Sequence, residues 1–116
     1  MLQLTPKSTI YVAAAYVDFR KGIDGLAAIC RNDFKYNPLD GDLFLFYNRA
    51  HNAIKVIFYD GQGFCLFTKR LSKGRFVYKD RSNPEFYKQI CYRSLQIIIN
   101  NGDPHKANLG RNWRSL

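Results

Sequence analysis

The residues best equipped for chemistry in this chain are cations. The stretch TKRLSKGRF, residues 68–76, places Lys69, Arg70, Lys73 and Arg75 within seven positions. Cations at this density suit phosphates. Each neutralised phosphate releases condensed counterions, which gives a salt-sensitive and largely sequence-independent affinity. Ser72-Lys73-Gly74 reads as a tight turn whose backbone can approach a polyanion closely. Arg49 and His51, on another expected turn, add to the set. The C-terminal stretch carries Lys106, Arg111 and Arg114 around the lone Trp113, where an indole can stack on a base or pack against a partner. Plainer explanations stand beside these. Basic residues on strand ends prevent edge-to-edge pairing of sheets, and a polar tail is ordinarily just solvated.

The distribution of charge favours the first explanation. The net charge is +9, and it is uneven along the chain. Residues 1–68 carry seven Lys and Arg against six Asp, whereas residues 69–93 carry eight against two acids. A basic zone of this kind attracts nucleic acid. Solubility alone is the competing explanation.

Catalytic chemistry finds less support. The acids are eight Asp and one Glu. Asp18 reads as a helix cap, and Asp40, Asp42, Asp60 and Asp103 adjoin Gly or Pro in turn contexts. Asp24, Asp33, Asp80 and Glu85 show no grouping that would hold a divalent metal. No Gly-x-Ser-x-Gly turn occurs, and neither His51 nor His105 adjoins a nucleophile. Gly61 and Gly63 lack the third glycine and the helix of a phosphate loop. Cys30, Cys65 and Cys91 are far apart among apolar neighbours, and they read as buried free thiols rather than a zinc site. No catalytic residue, metal or cofactor is therefore expected.

The elements that must position the cations follow from periodicity. TIYVAAA, residues 9–15, reads as a first strand. Ile23, Leu26, Ala27, Cys30 and Phe34 recur at helical spacing, so a helix is expected over 19–34 behind Asp18. Gly22 and Gly25 within it imply close approach to the sheet. LFLFY (43–47), AIKVIFY (53–59), FCLFTKRL (64–71) and RFVYK (75–79) read as four strands of a meander with turns between them. These strands are apolar at nearly every position, so both faces must be covered, one by the helix at 19–34 and the other by the C-terminal segment or by a second copy of the chain. YKQICYR (87–93) reads as a further strand, and LQIIIN as a short helix capped by Ser94.

The expected architecture is α+β: an antiparallel β-meander of about four to six strands, one main N-terminal helix and a short C-terminal helix. It forms a single domain over 1–104, followed by a basic tail over 105–116. No apolar run approaches the ~18 residues of a spanning helix, and MLQLTPKSTIYV lacks the pattern of a secretory signal. The expected location is the cytoplasm, with no membrane partner.

Several segments together carry a resemblance: VDFRKGIDGLAAICR, then PLDGDLFLFYNRAHNAIKVIFYDGQGFCLFTKRLSKGRFVY, with an echo in SLQIIINNGD. In order they contain Asp-x-Arg-Lys, Asp-Gly-Leu, Gly-x-Leu-Phe-x-Phe-x-Asn-Arg, Lys-x-x-x-Tyr-Asp-Gly-x-Gly-Phe and Lys-Arg-Leu-x-Lys-Gly-Arg-Phe. This series resembles the TnpB (Orf2-like) accessory proteins of the insertion-sequence-66 class of bacterial transposons. Departures fall at Ala50-His51-Asn52, at Phe67-Thr68 and in YKQICYRS. The resemblance implies a small protein that assists a separate transposase and brings no assigned activity of its own. The expected partners are DNA at the transposon ends and the transposase of the same element, with a homodimer as a further expectation. Lys69, Arg70, Lys73, Arg75 and Arg49 are the expected DNA contacts, with Arg111, Trp113 and Arg114 in the tail. The alternative is a protein–protein adaptor that docks the transposase without touching DNA.

Overall fold

The computed structural model describes residues 9–33, 35–78 and 87–101. In chain order the elements are β1 (Ile10–Ala13), α1 (Ile23–Asn32), a 3₁₀ turn (Pro38–Asp40), β2 (Leu43–Tyr47), β3 (Ala53–Tyr59), β4 (Phe64–Arg70), β5 (Tyr87–Ile90) and α2 (Tyr92–Ile99). The strands form one sheet in the order β4-β3-β2-β1-β5. The meander β2-β3-β4 is antiparallel throughout. β1 joins it parallel to β2, and β5 closes the far side antiparallel to β1. Parallel neighbours cannot be joined by a tight turn, so the chain must cross over between them. The segment carrying α1 makes that crossing.

Strand alternation divides the core into two layers. On one face Ile10, Val12, Leu43, Leu45, Tyr47, Ile54 and Val56 pack with Leu95 and Ile98 of α2. On the other, Tyr11, Ala13, Phe44, Phe46 and Ile57 pack with Leu26, Ala27 and Cys30 of α1. β2 is buried at all five positions, which explains its unbroken apolar sequence. The second layer is therefore the C-terminal segment of the same chain.

Residues 75–78 do not form the fourth meander strand that their composition implies. They form no strand and pair with none. Phe76 and Tyr78 instead drop into the core beside α2, while Val77 stays 54% exposed. Alternating aromatic residues satisfied a core position here rather than a ladder.

The start of α1 also differs. Its N-cap is Gly22, without a side-chain cap bond, so the helix begins at Ile23 instead of residue 19. The Asp18 carboxylate is used earlier, accepting from the Arg20 N–H at 2.9 Å. Neither glycine marks close approach to the sheet. A Cβ at Gly22 would meet nothing within 4 Å, and one at Gly25 would meet only the Lys21 side chain. α2 starts at Tyr92 behind Cys91, two residues before the expected Ser94 cap, and the Ser94 hydroxyl faces the Cys91 sulfur at 3.3 Å. Of the three free cysteines only Cys30 is buried; Cys65 is half-buried and Cys91 is exposed. Among the described residues no helix is long and apolar enough to cross a membrane.

Candidate nucleic-acid interface

The β2–β3 turn, residues 48–52, organises one end of the sheet. Asn48 holds it from within. Its Oδ1 accepts from the Asn52 and Ala53 N–H groups at 3.0 and 3.1 Å, and its Nδ2 donates to Asn52 Oδ1 at 2.7 Å. His51 closes the turn at φ 61°, a left-handed conformation uncommon for a residue with a Cβ. Its ring compensates by stacking on Tyr47 at 4.1 Å and meeting the Tyr78 carbonyl through Nε2 at 2.9 Å. His51 is thus half-buried and engaged in structural contacts with Tyr47 and Tyr78.

The loop after β4 docks on this turn. The Leu71 N–H donates to the Asn52 carbonyl at 2.9 Å, and the Phe76 N–H donates to the His51 carbonyl at 2.8 Å. Asn101 secures the outgoing chain, accepting from the Val77 N–H at 3.0 Å and donating to the Arg75 carbonyl at 3.4 Å. Lys73 and Arg75 are therefore carried to the end of the sheet that holds Arg49. Arg70, the last residue of β4, reaches the same turn with Nη1 3.5 Å from Asn52 Oδ1. Arg49, Arg70, Lys73 and Arg75 are all exposed.

Lys69 parts from this group. It lies opposite Ile54 in the β3–β4 ladder, whereas Arg70 lies opposite Ala53, so the two side chains leave opposite faces of the sheet. The Lys69 ammonium donates to the Ile99 carbonyl at the end of α2, at 2.7 Å. That contact caps the negative end of a helix. Arg111, Trp113 and Arg114 lie outside the described residues. One ion pair joins two described residues, and it involves none of the expected contacts: Arg20 to Asp18, at 2.6 Å.

That pair belongs to a loop whose role sequence reasoning missed. The Arg20 Nε and Nη2 groups donate to both Asp18 oxygens at 2.6–3.1 Å. These side-chain bonds, with the bond from the Arg20 backbone, hold the Asp18 carboxyl down to about 2. Lys55, the one cation inside β3, donates to the Phe19 and Lys21 carbonyls at 2.9 and 3.0 Å and ties the loop to the sheet. Tyr16, Val17, Asp18 and Phe19 then face Asn48, Arg49 and Ala50 across an open concavity of about 440 Å³. The Arg49 guanidinium lies 5.9 Å from the centre of the Tyr16 ring, which is 57% exposed. The lone Lys within an apolar strand was the signal that could have drawn attention to this loop. No cluster of three or more potential metal ligands occurs among the described residues.

The family described as IS66 Orf2 like protein matches residues 8–108. The chain belongs to the IS66 Orf2-like family. Two curated relatives of Sinorhizobium fredii (strain NBRC 101917 / NGR234) match over 69 residues. The uncharacterized protein y4hO is 49% identical, with 60% of each chain covered. The uncharacterized protein y4jC is 38% identical, over 60% of this chain and 59% of the relative. The match thus spans about three-fifths of their length. No solved structure matches this IS66 Orf2-like chain.

Proposed function

We propose that the protein is a non-catalytic accessory factor of transposition that binds DNA of its element through the basic end of the sheet. One observation carries the DNA contact: Arg49, Arg70, Lys73 and Arg75 gather around a single turn, exposed, with no acid among the described residues paired to them. Such a surface takes up backbone phosphates and steers encounter with a polyanion. The tail cations Arg111 and Arg114, with Trp113, extend the contact. The transposase of the same element is the protein partner.

Binding of duplex DNA from the element ends, followed by fluorescence anisotropy over a salt series, tests this reading. The triple variant Arg49→Ala, Lys73→Ala, Arg75→Ala lowers the slope of log affinity against log salt by about 3, since each lost phosphate contact removes about 1. Lys69→Ala leaves that slope unchanged. A wild-type protein without affinity for DNA at low salt would exclude the reading.

Val77 favours a second reading. A half-exposed aliphatic side chain between two core anchors, on the loop that carries Arg75, offers an apolar contact to another protein. In that case the apolar loop around Val77 docks the transposase and the protein never meets DNA. Capture of the purified transposase, lost with Val77→Ser and retained with the triple charge variant, would identify the adaptor.

A further inference from the structure

We propose that the concavity between residues 16–19 and the β2–β3 turn is a nucleobase subsite, taking an unpaired base of single-stranded DNA against Tyr16 with the adjoining phosphate on Arg49. The inference rests on the nucleic-acid reading of this end of the sheet and names the form of DNA it selects.

Four observations carry it. Tyr16 is one of three large apolar or aromatic side chains more than half exposed among the described residues, and the only aromatic one of them. It belongs to neither core cluster, so packing does not account for its position. It lines a recess whose volume, about 440 Å³, exceeds what one base and its sugar occupy and falls in the usual range of small-ligand sites. Arg49 shares the recess with its guanidinium 5.9 Å from the centre of the Tyr16 ring, within reach of the phosphate next to a base that stacks on that ring.

The one carboxylate in the wall does not repel the phosphate. Both Asp18 oxygens are engaged by the Arg20 guanidinium, whose side chain is 91% exposed, so the pair presents no net negative charge to the recess. Lys55 fixes the floor of the loop through two backbone carbonyls, so the recess is already shaped before anything binds.

This geometry discriminates by DNA form. A π-face bordered by cations suits base stacking, which tolerates every base and requires that the base be unstacked from its neighbours. In an intact duplex each base is covered on both faces and cannot enter a recess between two loops. A single strand, or the frayed end of a duplex, presents such a base without the cost of extrusion.

The test compares one oligonucleotide sequence as a single strand and as a duplex closed at both ends by non-nucleotide linkers. It uses the full chain and the variants Tyr16→Ala and Tyr16→Phe, with circular dichroism to confirm that each is folded. The wild type should bind the single strand about five-fold or more tighter than the duplex, the lower end of what one stacked base supplies. Tyr16→Ala should remove that preference and leave duplex affinity within about two-fold of wild type, whereas Tyr16→Phe, which keeps the ring face, should retain the preference. A 5-iodouracil single strand should photocrosslink to Tyr16, located by mass spectrometry of the digested adduct. Equal wild-type affinity for both forms, or a loss in Tyr16→Ala that is the same for both, overturns the subsite and leaves the basic end as a duplex-binding surface. Absence of binding to either form removes both proposals.

Discussion

Asp18 shows how far the identity of a residue falls short of its role. An Asp shortly before an apolar helical face is ordinarily an N-cap. Here both carboxylate oxygens are taken up by Arg20, two residues on, and α1 begins later without a side-chain cap. The Arg20 bonds favour the ionised form and place the Asp18 midpoint at about 2, below the ordinary 3.8. A carboxyl depressed on folding contributes stability above its unfolded value, and the contribution is lost as pH falls through the folded one. The Asp18–Arg20 arrangement therefore persists to about pH 2 and weakens between there and 3.8. A ¹³C-carboxyl titration should show Asp18 titrating near the lower value in the native protein and returning towards 3.8 in Arg20→Gln. An unchanged midpoint in that variant would mean that the pair does not set the loop.

At the scale of elements, a strand assigns its neighbours to opposite faces whatever their chemistry. Lys69 and Arg70 look alike in the sequence, yet only Arg70 reaches the basic end. Lys69 turns under α2 and holds the Ile99 carbonyl. A charged hydrogen bond to a helix C-terminus contributes about 1–2 kcal/mol. Lys69→Ala should lower unfolding free energy by about that much in urea titrations, with no change in the salt dependence of DNA binding. The reverse result, intact stability with a reduced salt slope, would return Lys69 to the DNA surface. The helix-strand pattern itself was legible: β2 and β3 occupy the residues that their apolar runs predict, and β4 ends one residue early. Residues 75–78 were not. Aromatic residues at alternating positions suit a strand and a core-anchored loop equally, and local sequence holds no information on which strand edge is free.

For the molecule as a whole, folding and the basic surface are coupled through one side chain. Phe76 is 2% exposed, packs edge-on to Tyr47 at 6.0 Å, and sits one residue from Arg75. Its burial holds the cationic loop against the β2–β3 turn. Phe76→Ala should cost about 3–5 kcal/mol of stability through the cavity it leaves. It should also reduce the salt slope of DNA binding although it removes no charge. Phe76→Leu, which keeps most of the volume, should restore folding and much of the slope. If Phe76→Leu folds and binds as the wild type does while Phe76→Ala folds but keeps its full slope, the loop is not held by this anchor.

The sequence alone determined the central strands β2, β3 and β4, the excess of positive charge beyond Thr68 and the family. Each of these depends on composition or on the order of neighbouring residues. Only the tertiary structure decided which cations share a surface. It drew Arg49 together with Arg70, Lys73 and Arg75 through backbone bonds to residues 51 and 52, and it sent Lys69 and His51 into structural contacts. It also brought Tyr16 within reach of Arg49, more than thirty positions along the chain. The reason is that strand register and loop docking are set by where apolar side chains such as Phe76 and Tyr78 find room in a common core, and that competition is settled by the whole chain at once.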